Sequence, residues 1–313
     1  MLNLVDTLVG ISHFLGDKTP KDAPVVQPRP RTTNPWRTNA KPVVAKVRVG
    51  ENLKVSINNA IGLLGNLADV ITRGDKVLLK PNFNSPDPFP ASTDMLFLRS
   101  MTEILLEAGA KVTIGESSGG IWRPSTNVFR KVGLYQLARE LNVKLLPFGE
   151  KGTEWVKIEL EGSYLRSVTV PRVAYEADKI VYLPCMKTHR LAGYSGALKL
   201  AFGFVHPGER RGFHFRNLQQ KIAEVSLCWQ PDLIVMDGRK TFVTGGPDRG
   251  QLAEPGLLLA SGDIIAIDIE AIKMLLAYDA KNRLPPNPAQ LPQMATALRH
   301  GLGSGSNEYT VVE

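Results

Sequence analysis

Short β-branched runs and amphipathic stretches of helical length alternate along this chain from Val43 onward, and that alternation restricts the possible folds more than any other feature. Val43–Val49, Lys76–Leu79, Lys111–Gly115, Val143–Leu146, Lys179–Leu183 and Asp232–Met236 read as strands, with a further one at Leu257–Ala260. Between them, Leu53–Ile71, Met95–Ala108, Val128–Leu141 and Leu218–Cys228 carry apolar residues at helical spacing. Parallel strands need long crossover connections, and helices supply them. The pattern predicts an α/β fold: a largely parallel sheet with helices on both faces and a ligand crevice beyond the strand ends.

The loops after those strands are therefore where a site belongs. Lys80-Pro81-Asn82 follows one strand, Glu116-Ser117-Ser118-Gly119-Gly120 a second, Lys187 to Lys199 a third and Asp237-Gly238-Arg239 a fourth. Three of the five histidines, His189, His206 and His214, fall between Lys187 and His214, alongside Lys199, Arg210, Arg211, Gly193, Gly196, Gly203 and Gly208. Proton-transfer groups, fixed positive charge and permissive backbone at one place suit an anionic ligand.

The ends differ from this body. Leu4, Leu8, Ile11 and Leu15 predict a short amphipathic helix over residues 2–15, read as docking on the body rather than as a membrane anchor because its polar positions carry almost no Lys or Arg. Six prolines between Pro20 and Pro42 describe an extended linker. The expected organisation is a helix and Pro-rich linker over 1–42, an α/β domain over 43–282 with an inserted hairpin between Phe148 and Arg172, and a peripheral segment over 283–313. A net charge of +8 favours acidic partners, but no basic run of five or interleaved aromatic motif points to nucleic acid. Cys185 and Cys228 fit no CxxC or zinc spacing and read as buried thiols. No apolar run reaches about 18 residues, so no transmembrane helix is expected. With Asp6 interrupting the apolar amino terminus, no signal peptide is expected either, and a cytoplasmic location follows.

Taken alone, His189 reads as a surface-loop histidine. Its neighbours change that reading, since Lys187 lowers an imidazole pKa toward the neutral base and Gly193 and Gly196 let backbone N–H groups approach a ligand around Ser195. Lys199 opens an apolar stretch, Leu198–Val205, where a destabilised ammonium becomes a nucleophilic amine. Lys80, Asn82, Ser118, Lys187 and Ser195 are the candidate anion contacts, His189 and Lys199 the candidate catalytic pair, and His214 a candidate metal or ligand contact. No His/Cys/Asp/Glu spacing matches a closed zinc cage.

In order along the chain, Lys80-Pro81-Asn82, Gly115-Glu116, Lys187-Thr188-His189, Gly196-Ala197-Leu198-Lys199, Asp237-Gly238, Gly246-Pro247 and Ser261-Gly262-Asp263 with Asp268 resemble the family called domain of unknown function 362, from about Val43 to Leu276. Some members carry ferredoxin-type iron–sulfur segments; this chain, without clustered cysteines, is expected to hold no such cluster of its own. The segment from His189 through Ala192-Gly193-Tyr194-Ser195-Gly196 and Lys199 to His214 is also similar to the nickel-pincer lactate racemases. That resemblance implies a nickel-bearing pincer-type cofactor tethered to Lys199, proton transfer by His189 and nickel ligation by His214. The second catalytic histidine of those enzymes, in a Gly-Ser-His loop, has no counterpart; the loop here is Glu116-Ser117-Ser118, which makes Glu116 the candidate replacement. Two readings remain open: an enzyme acting on a small anionic molecule, racemase-like or redox-associated, and a non-catalytic binding or accessory protein working with an iron–sulfur or flavin partner.

Overall fold

The apolar runs assemble into one sheet in a computed structural model that describes residues 4–313. Its strands are β1 (Lys41–Arg48), β2 (Lys76–Lys80), β3 (Lys111–Glu116), β4 (Lys144–Pro147), β5 (Lys179–Tyr182), β6 (Leu233–Gly238), β7 (Leu257–Ser261) and β8 (Thr310–Val312). They lie in the order β8-β1-β7-β6-β5-β2-β3-β4. From β6 through β4 all neighbours are parallel, and β7 alone runs against both of its neighbours. The mostly parallel α/β sheet expected from the alternation is present.

Period-2 alternation divides the two faces. Val77 and Leu79 of β2 pack on one side with Ile57, Ile61, Phe97, Met101 and Leu105, from the helices Leu53–Leu64 and Met95–Glu107. Leu78 faces the other core with Tyr182, Phe204, Trp229, Ile267 and Ile272. Lys80 shares the parity of Leu78, and its Nζ lies 5.3 Å from the Phe204 ring centroid.

Two expected helices are broken where glycine takes positive φ. The Leu53–Ile71 pattern stops at Gly65 (φ 152°) and resumes as the short turn Leu67–Asp69. Val128–Leu141 divides at Gly133 (φ 80°) into Ser125–Lys131 and Leu134–Glu140. Trp155–Glu159 and Ser167–Pro171 pair antiparallel as a hairpin between Phe148 and Arg172.

The amino-terminal helix spans Leu4–Gly16. Residues 2 and 3 and the side chains of Leu4 and Leu15, part of that expectation, lie outside the described residues. The Pro-rich stretch is extended, as its composition requires, but it is packed. Val25–Val26 pairs with the hairpin, Arg31 donates to the Leu302 carbonyl at 2.8 Å, and Trp36 is buried. The carboxyl end, expected to be peripheral, enters the main sheet as β8 beside β1. No described helix is long and apolar enough to cross a membrane.

Candidate functional site at the strand ends

The carboxyl ends of β2, β3 and β5 open into one cavity of about 740 Å³. β2 ends on Lys80 and β3 on Glu116, and these residues form a buried ion pair at 2.6 Å. Glu116 Oε2 also accepts from the Phe83 amide, and Oε1 accepts from the Ser117 amide. The carboxylate therefore anchors Lys80 and the turn after β3, its acceptor contacts all made to the protein.

Beyond β5 the chain turns into the hairpin Lys187–His189 and Gly193–Ser195. Gln293 braces it by donating to the carbonyls of Ala192 and Tyr194. Lys187 is buried and donates to the carbonyls of Pro90 and Ala91, while burial pulls its pKa below the ordinary lysine value. His189 Nδ1 accepts from the amides of Leu191 and Ala192, at 3.2 and 3.1 Å. Burial, with Lys199 and Lys187 nearby, holds its pKa down to about 2. A neutral ring that accepts at Nδ1 carries its proton on Nε2. His189 thus presents an N–H donor on the cavity wall, where sequence reasoning expects a base.

His214 has the opposite arrangement. Its Nδ1 lies 3.0 Å from the Arg210 carbonyl, an acceptor, so Nδ1 carries the proton and Nε2 keeps a lone pair. Burial lowers its pKa as well. The two rings on the same cavity supply one neutral donor and one neutral acceptor.

Lys199 follows the hairpin on the short helix Ala197–Leu200. Asp268, buried in the helix Ile264–Leu276, accepts from the amides of Ala197 and Leu198 and from the Tyr194 hydroxyl, at 2.7, 2.9 and 3.0 Å. It holds the turn that aims Lys199. Gly196 sits where a Cβ would fall 2.1 Å from the Tyr194 hydroxyl and 2.2 Å from Asp268 Oδ1, so only glycine lets these groups converge. The Lys199 ammonium has no hydrogen-bond or ion-pair partner among the described residues. Burial, then Lys187 and Arg210, pull its pKa to about 7.

Arg210 is buried, donates to Ser117 and to the Ser118 carbonyl, and has its pKa lowered to about 10 by burial and by Arg123. Eight cationic side chains line the cavity against three carboxylates. Each carboxylate already pairs with a cation: Glu116 with Lys80, Asp17 with Arg123 and Asp248 with Arg190. The surplus positive charge matches an anion.

Of the residues singled out from sequence, Lys80, Asn82, Lys187, His189, Ser195, Lys199 and His214 all line this cavity. Ser118 lies behind its wall, its hydroxyl donating to the Phe83 carbonyl and its amide to Ser125 Oγ. Asn82 spends its side-chain amide on the Ala91 carbonyl. His206 faces elsewhere, capping the helix Pro207–Phe213 and stacking edge-on to Trp155. Asp268 and Arg210 escape sequence reasoning as site residues. Asp263 caps the helix Ile264–Leu276 by accepting from the Ile265 and Ala266 amides.

The residues a tethered cofactor would need are present. Lys199 offers a partnerless amine of depressed pKa, and His214 an Nε2 lone pair, on a cavity large enough for a small cofactor. Among the described residues no group of three His, Cys, Asp or Glu side chains could cage a metal, so an ion here would take its remaining donors from a bound group.

The family model described as Domain of unknown function (DUF362) matches residues 77–273. A thylakoid-associated protein of Synechocystis sp. is 28% identical over 269 residues, 83% of this chain and 78% of that one. A crystal structure of a Thermotoga maritima protein aligns with TM-score 0.46 and 12% identity, covering 72% of this chain and 58% of its own. The lactate racemase apoprotein of Thermoanaerobacterium thermosaccharolyticum aligns with TM-score 0.37 and 16% identity, over 64% of this chain and 50% of its own. The chain thus spans 58% of the length of the first solved structure and half of the second.

Proposed function

The chain belongs to the DUF362 family, and on that premise we propose that it is an enzyme whose strand-end cavity binds a small carboxylate- or phosphate-bearing molecule. The observation that carries the reading is Lys199: a partnerless amine of pKa about 7 in a cavity where every carboxylate is already paired. Near neutral pH such an amine is divided between a cation that attracts an anion and a free base that attacks carbon or takes a proton. Arg210 supplies positive charge and Lys187 a second amine, the His189 Nε2–H donates to a ligand oxygen, and His214 Nε2 accepts a proton or holds a metal.

A pincer-type nickel cofactor attached at Lys199 would add hydride chemistry at a 2-hydroxy acid. In that case the roles of His189 and His214 are to orient the substrate oxygen and to ligate the metal. A cytoplasmic location is part of the same reading.

Calorimetric titration with inorganic phosphate and with short 2-hydroxy and 2-oxo carboxylates tests the site. The expected result is single-site binding by at least one of them, weakened about tenfold or more in Lys199→Met, the loss of roughly one charge-assisted contact. No binding of any of these anions, or equal affinity in Lys199→Met, overturns the proposal.

A further inference from the structure

The mouth of the cavity is ringed by apolar side chains turned to solvent. Ile121, Leu191 and Phe215, from three separate segments, line it and are 45%, 60% and 81% exposed. The helix Leu4–Gly16 joins them. It meets this rim along Gly10, where a Cβ would lie 2.1 Å from the Ile121 carbonyl oxygen. Just past its end, Asp17 pairs with Arg123 of the cavity wall at 3.3 Å. With the Gly10 side so used, the helix turns Leu8, Val9 and Ile11 outward, 58%, 36% and 41% exposed. Single exposed apolar side chains need no explanation, but three on the cavity lining together with three on the helix packed against Ile121 form a patch of the kind that marks an interaction surface.

The charges around the patch indicate its partner. Lys18, Arg216 and Arg249 are exposed and have no ion-pair partner among the described residues. Arg190, at the same rim, pairs only with Asp248, at 3.5 Å. The rim carboxylates Asp17 and Asp248 are both bound to arginines. An uncharged aliphatic helix face framed by basic side chains fits a negatively charged, apolar-cored surface.

We infer that the cavity rim is a docking surface for an anionic lipid bilayer. The helix Leu4–Gly16 lies in the interface plane with Leu8 and Ile11 among the acyl chains, and the basic residues meet the headgroups. Since no described helix is long and apolar enough to span, the association is peripheral. Docked in this way, the cavity opens toward the headgroup layer. The inference goes beyond the anion-site reading and shares with it only the opening.

Sedimentation of the full chain with vesicles of phosphatidylcholine, alone or mixed with phosphatidylglycerol, tests it. The chain is expected to sediment with the mixed vesicles only and to be released by high salt, each adjacent Lys or Arg strengthening association by roughly fivefold. The Leu8→Glu/Ile11→Glu double variant should partition about tenfold or more weakly. Val55→Glu, at a residue 51% exposed on the helix Leu53–Leu64 and away from the cavity, should bind as the parent does. Failure of the parent to bind phosphatidylglycerol vesicles overturns the inference, as does undiminished binding by the double variant; in the first case the patch serves a protein partner. Phosphate titration of the double variant separates the two proposals: retained anion affinity with lost vesicle binding supports both. Vesicle binding without any anion affinity in the parent removes only the anion site.

Discussion

Lys80 Nζ and Glu116 Oε2 meet at 2.6 Å where adjacent parallel strands end, both side chains almost wholly shielded from water. This pair decides the charge state of the cavity. Glu116, further held by the amides of Phe83 and Ser117, neutralises Lys80 and leaves Lys199 without a counter-ion.

Removing one partner of that pair exposes its cost. Glu116→Ala should destabilise the fold by about 3–5 kcal/mol in urea unfolding, because Lys80 is left charged and buried. The double variant Lys80→Met/Glu116→Leu should recover most of the loss. A Glu116→Ala protein as stable as the parent would mean that Lys80 is neutral or finds water.

His189 should not titrate between pH 5 and 8. Nitrogen-detected NMR should find its ring neutral, protonated at Nε2, over that whole range, as follows from two amides on Nδ1 and a pKa near 2. An ordinary titration near pH 6.5 would show that the hairpin does not hold the ring in this way.

Gly196→Ala should disturb the turn that presents Lys199, since its Cβ collides with the Tyr194 hydroxyl and Asp268. Overpacking of this kind costs about 1–3 kcal/mol. Adding Tyr194→Phe removes the nearer clash and should return part of the stability, read by thermal unfolding. No rescue would place the strain elsewhere.

Protein isolated from its own host should carry a mass adduct on Lys199 together with stoichiometric nickel if the racemase-type chemistry is retained. Intact mass and metal analysis read both. An unmodified Lys199 without metal removes the tethered cofactor and leaves the anion site standing.

Strand order could not be read from the sequence, but the convergence of these loops on one cavity could, because in a parallel sheet the loops after the strands all emerge on one side. Lys80, Lys187, His189 and Lys199 were legible for that reason. What a side chain does there was not. His189 reads as a base until the amides of Leu191 and Ala192 occupy its Nδ1, and Ser118 reads as an anion contact until its hydroxyl is seen to point inward at Phe83. Asp268 was hidden because its partners, Ala197 and Leu198, are about 70 residues away. β8 was missed because three residues beside a Gly/Ser-rich stretch give too short a run for periodicity to register.

The central claim, that Lys199 is a near-neutral amine in an anion cavity, is tested most directly by measuring its pKa through competitive chemical labelling across pH, with each lysine quantified by peptide mass. The account predicts half-maximal labelling of Lys199 near pH 7, rising as the amine loses its proton, and protection by the anion found to bind. Lys199 titrating with the exposed lysines at about 10.4 would contradict it.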